Sequence, residues 1–179
     1  DGSSSDPGTG LRKVVSDWIA GGTLKDAVVA KYGRIENWGT SAVTNLATVF
    51  YGKSTFNADI SKWDVSSVTT LKRTFQLASL FNADISQWVV SSVTTLGYTF
   101  YEALAFNADL STWDVSSVTT MFRTFGSLNY GGFKRTLCGS TWLSLTGSNN
   151  AFSNLGLNTA RYGCCPPESY MSNPELNPF

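Results

Sequence analysis

The chain has 179 residues, with 13 basic and 13 acidic side chains, a formal net charge of zero and a hydrophobic fraction of 42%. Neutral charge argues against nucleic acid, which demands a basic stripe, and no apolar run approaches the roughly 20 residues that a membrane-spanning helix needs. Histidine is absent, which removes the commonest general base and the commonest metal ligand.

Residues 1–10 read as a flexible N-terminal segment, and a chain that starts at Asp1 rather than Met is expected to be a processed precursor or a fragment. Residues 11–33 predict a helical cap. Leu11, Val14, Val15, Trp18 and Ile19 share one face of a first helix ended by Gly21 and Gly22. Leu24, Ala27, Val28 and Tyr32 share one face of a second, ended by Gly33.

From residue 34 to 132 the chain repeats itself four times. Trp38, Trp63, Trp88 and Trp113 are each 25 residues apart. So are Ile35, Ile60, Ile85 and Leu110, and likewise Phe50, Phe75, Phe100 and Phe125. A fixed period of this size marks a stack of like units whose apolar columns touch their own copies. The run Ile60-x-x-Trp63-x-Val65-x-x-Val68 has the spacing of a leucine-rich repeat, so Trp63–Val65 is expected to be a short strand. Val68, Leu71, Phe75 and Ala78 are then expected to line one face of a short helix. The predicted fold class is therefore α/β, a short leucine-rich-repeat-like solenoid with one strand and one helix per coil. Asn57, Asn82 and Asn107 predict a ladder of shared hydrogen bonds along the stack, beside the Trp column. Asp59, Asp84 and Asp109 are expected to accept backbone N–H bonds at the turns rather than to hold calcium.

Residues 133–165 predict a C-terminal cap, because Phe133 and Leu137 keep their columns after a two-residue insertion. Cys138, Cys164 and Cys165 cluster there, and a bridge from Cys138 to either of the adjacent pair would staple the cap in an oxidising compartment. Residues 166–179 read as an extended, Pro-rich tail.

The stretch "FNADISKWDVSSVTTL..TF..A" resembles the F-N-x-D-I-S-x-W-D-V-S-x-V-T-x-M-x-x-M-F repeat of BspA-like surface proteins of unicellular eukaryotes and bacteria, over about residues 34–138. That resemblance implies leucine-rich-like coils, an extracellular or cell-surface location and, after "ARYGCCPPESYMSNPELNPF", a continuation into a Cys-rich region. It brings no catalytic residue set. Leu71 and Leu96 depart from it where Met is usual, and Val89 stands where Asp is expected.

Catalysis is not expected, since the chain has no phosphate-cradling glycine loop and no nucleophile motif. No cofactor is implied. The expected role is structural or adhesive, with partner contacts to protein, including copies of the chain itself head to tail, and to glycan. The candidate binding face is the outward row beside the Trp column: Asn37, Lys62, Asp64, Gln87, Val89, Thr112 and Asp114. No N-x-S/T sequon occurs, so any glycosylation is expected on Ser and Thr oxygen.

Overall fold

A computed structural model describes residues 7–126 together with residues 133, 137, 141 and 142. Two helices open it: α1 spans Pro7–Ala20 and α2 spans Gly22–Tyr32. The single residue between them, Gly21, has a φ of 76°, a left-handed turn that suits glycine. A 3-10 turn, Ile35–Asn37, leads into the repeats.

α1 is the working half of this cap. Val15 is fully buried, and Leu11, Val14, Trp18 and Ile19 pack half-buried against the core. Trp18 meets Phe56 edge-on at 6.4 Å. The Arg12 Nε donates to the Ala47 carbonyl at 3.0 Å, binding the helix to the backbone of the first coil. α2 does less than its sequence promised. Of its expected apolar face only Val28 is buried, and Leu24 is 50% exposed.

The repeats stack, but they are not built from strands and helices. Among the described residues no β-strand exists, and none of residues 38–126 is helical. This overturns the α/β strand-plus-helix solenoid expected from the leucine-rich spacing. The physical reason is visible in where the N–H groups go. Those of Trp63 and Val68 turn back on the Ile60 and Val65 carbonyls three residues earlier, so the Trp63–Val65 segment is bracketed by two tight turns. Parallel pairing is confined to one bridge per coil, Asn45 to Thr70 to Thr95 to Thr120.

The segment expected to be helical is a run of turns of alternating hand. Arg73 and Leu77 have φ values of 59° and 62°, which no right-handed helix tolerates. Leu71, Arg73, Phe75 and Leu77 donate their N–H groups to Thr95, Gly97, Thr99 and Tyr101 in the following coil. The intervening Thr74, Gln76 and Ala78 donate within their own coil. Apolar residues three or four apart satisfy a helix and a polygon of turns equally, so periodicity alone did not separate them. Left-handed residues other than glycine cost on the order of 1–2 kcal/mol each. The cost recurs in register, at Thr48, Arg73, Tyr98 and Arg123, where the ladder of hydrogen bonds between coils offsets it.

Two files of phenylalanine fill the centre. Phe50, Phe75, Phe100 and Phe125 stack at 5.1, 5.6 and 5.6 Å. Phe56, Phe81, Phe106 and Phe133 stack at 6.0, 5.7 and 6.0 Å. Within a coil the two files meet as close as 3.8 Å. Burying each ring contributes roughly 1.5–3 kcal/mol, so these files are the main source of cohesion. The disulfide-stapled cap expected for 133–165 finds no support: Cys138, Cys164 and Cys165 lie outside the described residues.

Candidate functional faces

The outward row expected to bind ligand is exposed throughout. Lys62, Asp64, Gln87, Val89, Thr112 and Asp114 all face solvent, as does Asn37 in the 3-10 turn. Much of its hydrogen-bonding capacity is already committed, however. Asp64 Oδ1 accepts the Ser66 N–H at 3.0 Å and its hydroxyl at 2.6 Å. Asp114 Oδ1 accepts the Ser116 N–H at 3.0 Å, and the Thr112 hydroxyl donates to the Ser86 carbonyl one coil below at 2.7 Å. The Asp residues here close side-chain turns, a local use that suits Asp. Val89 cannot do so and stands 57% exposed.

The Asp59, Asp84 and Asp109 column behaves alike, each carboxylate accepting the N–H two residues on at 2.9 Å. Hydrogen bonds from Ser61 hold the Asp59 carboxyl below its ordinary range. Ser66 and Ser116 do the same for Asp64 and Asp114. Asp84 is also lowered by its bonds to Ser86, although the neighbouring carboxylates of Asp59 and Asp109 pull the other way. Among the described residues no group of three or more His, Cys, Asp or Glu could hold a metal.

The Asn and Trp columns run along the stack. Asn57 Oδ1 accepts the Asn82 N–H, and Asn82 Oδ1 accepts the Asn107 N–H, both at 2.8 Å. Trp63, Trp88 and Trp113 donate their indole N–H groups to the carbonyls of Ile35, Ile60 and Ile85 at 2.9–3.0 Å. Trp38, with no repeat beneath it, donates to Gly33 instead, at 3.1 Å.

One column escaped sequence reasoning. Thr74, Thr99 and Thr124 are fully buried, and each hydroxyl shares its one proton between a carbonyl of its own coil and one of the coil beneath. The signal was present: the first coil, which has only helices beneath it, carries Val49 in that column.

A second face gathers residues that no motif singled out. Arg73 lies over the Tyr98 ring at 5.2 Å, and Arg123 lies over Phe122 at 5.4 Å and Tyr101 at 5.9 Å. Tyr98 meets Tyr101 at 5.6 Å and Phe122 at 5.3 Å, both edge to face. At the other end, a groove of about 820 Å³ runs between α1, α2 and the first coil, lined by Val14, Leu24, Val28, Tyr32, Trp38 and Val43 among others. No helix among the described residues is long and apolar enough to cross a membrane.

No curated protein and no solved structure matches the chain. A family does: residues 23–135, the second helix and all the repeats, match the one described as "Mycoplasma protein of unknown function, DUF285". The match covers more than half of the sequence and coincides with the repeated columns, and the chain belongs to that family.

Proposed function

We propose that the chain is a non-catalytic structural or adhesive protein of the cell surface or extracellular space, of the BspA-like kind, which assembles end to end through cap and tail contacts. The observation that carries this is the division of labour within each repeat. Buried columns of Phe, Trp and Thr are kept from coil to coil, while the exposed row changes from Lys62 to Gln87 to Thr112 and from Asp64 to Val89 to Asp114. A scaffold that holds its frame and varies its face suits recognition over an extended surface. The apolar groove at the helical end, rimmed by the exposed Leu24 and Tyr32, supports a reception point for the tail of a neighbouring copy. Contacts between unlike ends do not close on themselves and so build filaments.

Negative-stain microscopy of native material, with surface labelling of intact cells, tests the proposal. Regular fibres on labelled cells support it, and a uniformly monomeric intracellular protein sinks it. Val89, the most exposed apolar side chain of the variable row, favours a second reading, a monomeric module that binds glycan or protein through that row. Monomers retained on a glycan array would select it.

A further inference from the structure

The net charge of zero conceals a division across the coils. Asp59, Asp64, Asp84, Asp109 and Asp114 all lie on the arcs that carry the Trp column, against one base on the same three arcs, Lys62. The opposite arcs, residues 70–77 and their counterparts, carry Lys72, Arg73 and Arg123. The one acid on those arcs among the described residues, Glu102, is only 8% exposed. Neither arginine forms an ion pair with a described residue, although both side chains are exposed. An anion approaching the molecule is therefore drawn to one side and repelled from the other.

We infer that the face built by Arg73, Tyr98, Tyr101, Phe122 and Arg123 is a binding site for an anionic polysaccharide. Each guanidinium sits over an aromatic ring, at 5.2 Å for Arg73 and 5.4 Å for Arg123. That placement orders the side chain and leaves N–H donors to grip a carboxylate or sulfate in a fork. The two arginines occupy the same position two coils apart, which at about 4.8 Å per coil places them roughly 10 Å apart along the stack. Tyr98 and Tyr101 lie in the coil between them and Phe122 lies beside Arg123 in its own coil; all three rings are half-buried, and the apolar surface they leave exposed gives a sugar ring something to rest on. A line of cation, rings and cation fits a chain that carries acids at intervals on rings.

Gly126 is part of this construction. A Cβ there would come within 2.9 Å of the Tyr101 ring, so glycine alone gives that ring its place over the fourth coil. Tyr51, Gln76 and Tyr101 hold the same column in the coils before it. An acidic peptide would leave the rings without flat partners. A nucleic acid, with its dense phosphates, would call for more cations than this face supplies.

Affinity electrophoresis of the whole chain in gels cast with polygalacturonate (carboxylate alone), dextran sulfate (sulfate alone) or neutral dextran tests the site, with polyglutamate and single-stranded DNA as competitors. Retardation by one acidic polysaccharide and not by dextran is expected, and the gel that retards identifies the acid. Arg73→Ala and Arg123→Ala should each weaken binding about tenfold, Arg123→Lys less. Gly126→Val, which displaces Tyr101 without changing charge, should weaken it too, and Ser92→Ala on the opposite side should not. No retardation in either acidic gel overturns the inference. So does wild-type retardation of a folded Arg73→Ala/Arg123→Ala variant, or displacement by polyglutamate or DNA at lower concentration than by free polysaccharide. Binding in a gel does not depend on where the native protein resides, so this result and the labelling of cells fail or succeed separately.

Discussion

At the scale of single residues, the buried threonines show how the coils are fastened. The Thr99 hydroxyl bridges the Leu71 and Leu96 carbonyls at 2.9 and 2.7 Å. Thr99→Val keeps the shape and removes the hydroxyl proton shared by the two carbonyls, and it should lower the unfolding free energy by about 1–2 kcal/mol, read from urea titrations. The same change in the first coil is already native, as Val49, where no carbonyl of a preceding repeat exists to receive a hydroxyl. Val89 allows the opposite experiment. Val89→Asp should accept the Ser91 N–H as Asp64 and Asp114 do for Ser66 and Ser116, and raise the melting temperature at neutral pH. The sign of its pH dependence follows from its neighbours, whose folded carboxyls lie below the ordinary value of 3.8. A group lowered on folding stabilises fully above its unfolded value and loses that contribution as pH falls from there through the lower folded value. The gain of Val89→Asp should therefore persist at pH 6, begin to shrink as pH falls below about 3.8, and be lost only as pH passes through the lower folded value.

At the scale of elements, the contact between α1 and the first coil rests on few groups, and Arg12 is the polar one. Arg12→Met keeps the stem and removes the bond to the Ala47 carbonyl, with an expected loss of about 1 kcal/mol for this partly exposed contact. Hydrogen exchange should show α1 and α2 opening more readily in that variant while the third coil is unchanged. The elements also mark where the sequence could be read and where it could not. The helical cap, the period and the inward columns were legible, because burial imposes an apolar residue wherever a side chain must meet its own copy. The conformation between columns was not. Ile60, Trp63, Val65 and Val68 satisfy a strand with flanking turns, or turns alone, and Val68, Leu71, Phe75 and Ala78 satisfy a helix. What decides is the direction of the N–H groups of residues 71–77, and that depends on the next coil rather than on local preference. The second face was hidden for a related reason. Arg73, Tyr98, Tyr101, Phe122 and Arg123 come from three repeats, and the positions they occupy do not keep their letter from one coil to the next, so only the stacking brings them together.

At the scale of the whole molecule, nearly all cohesion is between nearest neighbours, with contacts one period apart in both ring files and in the Asn column. Removing one complete period in frame, residues 76–100, should leave a folded protein one coil shorter. Circular dichroism should keep its shape, the melting temperature should fall by the loss of one interface, and small-angle scattering should show a shorter particle. A chain that unfolds outright would mean that the coils are not equivalent units.

The backward reach of the tryptophans and threonines has a consequence for how the protein is made. Trp88 and Thr99 each donate to a carbonyl 28 residues earlier, in a coil that has already left the ribosome when they emerge. At roughly 5–20 residues per second, a new coil is delivered every few seconds. Each arrival finds a finished template whose carbonyls await its donors and whose N–H groups await its carbonyls. The cap formed by α1 and α2 is synthesised first, and the stack is laid down on it coil by coil, in the order in which it is translated.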